Sequence, residues 1–178
     1  LGVCFPDSDI DAVCVAPQFV ILADFFSVLY SILQNCKDCQ ELIKVEEAYV
    51  PIMKMKYMGI EVDMSFVQLG VKTVSPDIDL GPDSILDNIN KVSVRAINSL
   101  RVNNMVLKLV PNLENFKVLL RFVRYWSVRR GLYGNVYGYF GGINLTILSA
   151  FVCERHPNAS PAMLVFHFFN EIASWDWP

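Results

Sequence analysis

The sequence predicts an α+β protein: a small mixed β-sheet flanked by helices, followed by a helical second domain from about Pro111. Three observations predict it. Short runs near 9–15, 49–57 and 60–66 carry β-type patterning, the last alternating apolar and polar residues, as strands do. Apolar residues recur at helical spacing over 24–34 and again from 112 onward. Between these runs, a Pro, Gly and Asp loop at 72–82 and the pair Pro111-Asn112 interrupt any regular element. At 178 residues and 53% hydrophobic, the chain can hold one large or two small domains and bury enough surface to fold without staples.

The first strand follows a crowd of carboxylates, Asp7, Asp9 and Asp11. If a strand begins at Asp9, then Asp9 and Asp11 point the same way, about 7 Å apart at Cα, while Ile10 points into the core. Two such carboxylates repel unless a cation lies between them, and magnesium takes hard oxygen ligands of this kind. A turn rich in Asp at a strand entrance explains the same residues, so both readings stand on this motif alone. Asp7 belongs to the turn in either case.

Asp24 reads as a helix N-cap ahead of Phe25, Phe26, Leu29, Tyr30, Ile32 and Leu33. A hairpin about Met58-Gly59 joins strands near 49–57 and 60–66. In the second strand Ile60, Val62 and Met64 alternate with Glu61, Asp63 and Ser65, which leaves Asp63 on the polar face. Residues 83–110 read as two or three short helices. Asn112 caps a long helix with the apolar stripe Phe116, Leu119, Leu120 and Val123. Lys117, Arg121 and Arg124 form a row on another face, either solvated or suited to phosphates. Gly131 ends that helix. Gly134, Gly138, Gly141 and Gly142 then permit close backbone approach among Tyr133, Tyr137 and Tyr139. A helix over 143–155 and a last one, with Ser160 as N-cap and Pro161 as first residue, complete the chain.

Composition excludes several classes. The net charge of −3 advertises no general nucleic-acid binding, so any basic surface is local. The apolar run Phe19–Ala23 stops at Asp24, far short of the roughly 18 residues of a membrane span, and no membrane association is expected. The chain opens on Leu1 with no secretory pattern after it. Five cysteines without a regular framework fit a reducing compartment. Cys36 and Cys39 have zinc-ligand spacing but lack a second pair or a nearby His. His156, at a helix end, and His167, among phenylalanines, lack evident metal partners and read as structural. Asn144 and Asn158 begin sequons that read as chance matches.

A carboxylate pair on one strand and a third carboxylate on a later strand are more specific together than apart. At this point the sequence resembles the nuclear poly(A) polymerase family of the DNA polymerase beta-like nucleotidyltransferases. The resemblance runs nearly end to end. It is carried by Leu1-Gly-Val, Ser8-Asp-Ile-Asp11, Val15-Ala-Pro, Asp24-Phe-Phe, Ala48-Tyr-Val-Pro-Ile, Gly59-Ile-Glu-Val-Asp63, Arg101-Val, Leu109-Val-Pro, Arg129-Arg, Tyr133-Gly-Asn135, Gly141-Gly and Trp175-Asp-Trp-Pro. It implies a nucleotidyltransferase palm over 1–110 and part of a helical central domain over 111–178, with ATP in the cleft between them.

The same resemblance implies that Asp9, Asp11 and Asp63 are catalytic and hold two divalent ions, Mg2+ or Mn2+, for attack of an RNA 3′-hydroxyl on the α-phosphate of ATP. ATP would be bound by Ser8, Asn98 at the ribose, Arg124, Tyr133 near the phosphates, Asn135 at the adenine edge, Gly142 and Ile143. Val50 and Lys54 would face the RNA 3′ end. Arg124 stands where the family usually has Lys, which exchanges a point charge for a planar fork. A nuclear site of action and 3′-end processing factors as partners are implied as well. A Gly-Ser phosphate-binding element, an amino-terminal helix and a carboxyl-terminal RNA-binding domain of the family would lie outside these residues, leaving a fragment with impaired activity. Two other readings stay open: the same chemistry on another acceptor or nucleotide, as in 2′-5′ oligoadenylate synthesis or uridylyl addition, and a silent RNA-binding module.

Overall fold

The computed structural model describes residues 2–3 and 8–177; Cys4 and the expected turn at Asp7 lie outside the described residues. The chain divides into two compact units, about 5–102 and 103–178, with Gly2 and Val3 belonging to the second.

The first unit is built on a four-stranded mixed sheet in the order β1-β4-β3-β2. Its strands are β1 (Ile10–Ala16), β2 (Cys39–Val45), β3 (Ile52–Tyr57) and β4 (Ile60–Gln68). β3 and β4 form the expected hairpin. Met58 (φ 50°) and Gly59 (φ 84°) supply the two positive φ values that a tight two-residue connection needs. The hairpin's first strand starts at Ile52 rather than near 49. β1 lies parallel to β4, whereas the other pairs are antiparallel. β2 was not anticipated. A register shift between Gln40 and Ile43, with Glu41 at φ 52°, breaks the alternation by which a strand is read.

Helical residues follow β1 as α1 (Leu22–Asp24), a π-helical stretch Phe25–Leu29 and α2 (Tyr30–Gln34). Asp24 is therefore not the N-cap. It sits in the first turn, and its carboxylate accepts a hydrogen bond from the Ile21 N–H at 2.9 Å, so the helix begins three residues earlier than expected. Phe25 and Phe26 bury themselves with Ala16, Met53 and Phe66, and Cys14 and Met64 pack against that cluster. Val67, Leu69, Leu80, Ala96 and Ile97 form the core on the other face, joined by Val13 and Val15. Ile10, expected in the core, is 49% exposed, because it stands at the very start of β1 ahead of the residues that the helices cover.

Residues 83–110 hold a 3-10 turn, Asp83–Leu86, and then one helix of 19 residues, α3 (Lys91–Leu109), in place of several short ones. Asn90 caps α3 through the Ser93 N–H at 2.8 Å. The buried Ser93 hydroxyl accepts from the Gln68 N–H at 2.9 Å, tying α3 to the end of β4.

The second unit packs α4 (Leu113–Arg129), α5 (Gly142–Arg155) and α6 (Pro161–Ala173) on one another. Two expected caps are present: Asn112 accepts from the Asn115 N–H at 3.0 Å and Ser160 from the Met163 N–H at 3.4 Å. The stripe Phe116, Leu119, Leu120 and Val123 is buried. Leu145, Ala150, Val152 and Cys153 of α5 and Leu164 and Phe168 of α6 are buried as well. Gly131, at φ 69°, follows α4 in the left-handed region that ends helices.

Candidate active site

Strand pairing brings the first unit's carboxylates together. In the parallel register of β1 and β4, Asp11 stands directly opposite Asp63, and paired residues project from the same face. In the antiparallel register on the other side of β4, Lys54 stands opposite Asp63. The row Asp11, Asp63, Lys54 therefore crosses three neighbouring strands on one face. It continues, toward the strand ends, the face whose Val13, Val15 and Val67 are packed into the core. Asp9 precedes β1 by one residue and is exposed.

The electrostatics follow from this crowding. Partial burial pushes the Asp11 carboxyl above its ordinary pKa, and the charges of Asp9 and Asp63 push it further, with Lys54 opposing. Lys54 is raised chiefly by its hydrogen bond to Asp63, partly offset by desolvation, with the charges of Asp63, Asp9 and Asp11 adding. The Lys54 ammonium is ion-paired with the Asp63 carboxylate, the two side chains being 48% and 18% exposed. Three carboxylates against one ammonium leave excess negative charge on hard oxygen donors. That donor set suits a divalent cation of the magnesium type. The three carboxylates do not all lie within 4.8 Å of one another, so shared ligation requires side-chain movement among them.

The remaining expected residues are distributed over both units. In the first, Ser8 is half-buried beside Asp9, Asn98 is exposed on α3, and Val50 packs against the core cluster of Val67 and Ile97. In the second, the Arg124 guanidinium lies 5.6 Å from the Tyr133 ring centroid. Lys117 is paired with Glu114 at 2.8 Å, and Arg121 donates to the Gly2 carbonyl at 3.1 Å. All three members of the basic row thus have protein partners.

Sequence inspection missed the specific task of Gly141 and Gly142. A Cβ on Gly141 would lie 2.8 Å from Asn135 Oδ1 and 2.9 Å from its Nδ2, and one on Gly142 would lie 3.3 Å from the Tyr133 hydroxyl. The close approach that the glycines allow is to the chain's own Asn135 and Tyr133. The Gly-Gly pair was the available signal. Ile143, next in line, is 42% exposed at the start of α5.

The sequence shows no evident partners for the histidines, whereas the structure brings His156, His167 and Glu171 together. The i, i+4 spacing of His167 and Glu171 was the visible part of that cluster.

A mixed sheet that carries a carboxylate row across adjacent parallel strands, flanked by helices, defines a nucleotidyltransferase-type fold. A solved structure of the polymerase core of TRAMP, an RNA surveillance complex, shares it: TM-score 0.58 at 20% identity, covering 95% of this chain and 47% of that one. The chain belongs to the poly(A) polymerase family. Residues 1–110 match the poly(A) polymerase nucleotidyltransferase domain and residues 115–178 the poly(A) polymerase central domain.

Among its relatives, nuclear poly(A) polymerase 4 of Arabidopsis thaliana is 42% identical over all of this chain and 24% of that protein. The poly(A) polymerase of Dictyostelium discoideum is 37% identical over all of this chain and 22% of that protein. The chain thus spans about a quarter of the length of the curated relatives it matches.

Proposed function

We propose that this chain carries the catalytic part of a polynucleotide adenylyltransferase, which adds AMP from ATP to an RNA 3′-hydroxyl during mRNA 3′-end polyadenylation. The observation that carries the proposal is the opposition of Asp11 and Asp63 across β1 and β4, with Asp9 two residues from Asp11, in a member of this family. The nuclear naming of its Arabidopsis relatives supports a nuclear site of action, and 3′-end processing factors would be partners for such an activity. The catalytic domain is taken to end at 110 and the central domain to begin at 111, where Pro111 and the Asn112 cap separate α3 from α4.

Asp9, Asp11 and Asp63 would hold two Mg2+ or Mn2+ ions. Bound there, such ions lower the pKa of an attacking hydroxyl and neutralise charge on a transferring phosphoryl group. The protein's own residues position the reactants. Asn135 offers the amide that pairs bidentately with an adenine edge, and Gly141 gives it room. Arg124, over Tyr133, brings positive charge to the triphosphate. Ser8, Gly142 and Ile143 complete the nucleotide's contacts, and Asn98 meets the ribose. Lys54 balances Asp63 and, with Val50, faces the primer end.

In the reaction the primer oxygen forms a bond to the α-phosphorus while the bond to the pyrophosphate oxygen breaks; the hydroxyl proton is released. Positioning and charge stabilisation supply most of the acceleration in such displacements.

The full-length protein, given an RNA primer, Mg2+ or Mn2+ and each nucleoside triphosphate separately, is expected to lengthen the primer with ATP far faster than with UTP, CTP or GTP. Preferred use of UTP, or 2′-5′ linkages in the product, overturns the assignment.

A further inference from the structure

We propose that His156, His167 and Glu171 form a binding site for a divalent transition metal of the zinc type, which pins the end of α5 to α6. The site lies wholly in the second unit and owes nothing to the aspartates. His167 and Glu171 are one helical turn apart on α6, so their side chains share a face. His156 arrives from the C-cap of α5, where its N–H bonds the Val152 carbonyl at 3.1 Å. Among the described residues, this is the one set of three whose ligand atoms all lie within 4.8 Å of one another.

The three side chains stand within reach of one another, one ligand atom of each lying within 4.8 Å of the others. The two imidazoles stack with centroids 3.7 Å apart and planes within 10°, and both turn a ring nitrogen to the same carboxylate oxygen. His156 Nε2 touches Glu171 Oε1, and His167 Nδ1 lies 3.9 Å from it. Tetrahedral zinc, with ligands at about 2.0–2.1 Å, holds neighbouring donor atoms roughly 3.3 Å apart and lies in the plane of each imidazole it binds, so ligation requires one ring to turn out of the stack. Arg155 Nε lies 3.3 Å from the other carboxylate oxygen, Oε2, and orients Glu171 as an outer partner orients a ligand.

Side-chain exposures of 27%, 25% and 19% leave an entry path and room for water as a fourth ligand. Two imidazoles and one carboxylate select zinc-like ions; magnesium prefers oxygen alone.

The test uses full-length protein stripped of metal by a chelator and titrated with Zn2+ alone. One site is expected to survive Asp63→Ala and excess Mg2+, to raise the Tm, and to weaken at least about a hundredfold in His156→Gln and in His167→Gln. Co2+ on the unaltered protein is expected to give the intense visible bands of a four- or five-coordinate site without thiolate charge transfer, a readout that needs no variant to fold. Absence of those bands overturns the proposal. So does a Zn2+ affinity unchanged in both histidine variants, or lost only in Asp63→Ala.

Discussion

Replacing Asp63 by alanine separates its chemical role from its structural one. The side chain has one direct partner among the described residues, Lys54, and that lysine is 48% exposed. An ion pair open to water on one side contributes roughly 0–1 kcal/mol, and alanine leaves no buried group unpaired because Lys54 can reach solvent. The expected cost to stability is therefore under about 1 kcal/mol, a Tm change below about 4 °C. Loss of a carboxylate that holds a catalytic cation removes several kcal/mol of transition-state stabilisation; about 4 kcal/mol corresponds to about 1000-fold in rate.

Radiolabelled ATP incorporation into an RNA primer, measured beside a thermal melt on the full-length protein, reads both quantities. Asp63→Asn should behave alike, since it keeps the shape and loses the charge. Incorporation within tenfold of the unaltered protein in either variant would falsify the catalytic role. Unfolding of both would refute the claim that Asp63 serves chemistry rather than the fold.

Two further outcomes follow from the second unit. Gly141→Ala places a methyl group within 3 Å of the Asn135 amide, which can swing away at little cost to the fold. Its melt should be near normal while the KM for ATP rises about tenfold and discrimination against GTP falls, the scale of one lost bidentate base contact. A KM unchanged under these conditions removes Asn135 from adenine reading. Cys153 is 3% exposed, and burial pushes its thiol from 9.0 up to about 11. At pH 8 its thiolate fraction is then about a hundredfold below an ordinary thiol's, so iodoacetamide should modify it only after denaturant is added. The unfolded thiol ionises first, so this group's contribution to stability declines as pH rises from 9.0 toward 11. Rapid native labelling of Cys153 contradicts the packing of α5.

Much of the local structure was legible because local rules govern it. Asn112 and Ser160 announce their caps, Met58-Gly59 its turn, and Phe116, Leu119, Leu120 and Val123 their helix face. Where local signals conflict with packing, reading fails. The bulge in β2 conceals a strand, and Asp24 imitates an N-cap while serving three residues into the helix. Polar residues along α3, such as Asn98, Ser99, Asn103 and Asn104, make one helix look like several.

The sequence by itself determined that Asp11 and Asp63 each belong to a strand-patterned run and that the chain resembles nucleotide-transferring polymerases. A period of two is a property of one strand, so it needs no partner to be read. Only the tertiary structure decided that Asp11 and Asp63 meet across a parallel pair, that Lys54 closes the row, and that His156 joins His167 and Glu171. These juxtapositions depend on register and helix packing between segments far apart in the chain. A one-residue slip in register would send the same side chains to the opposite face.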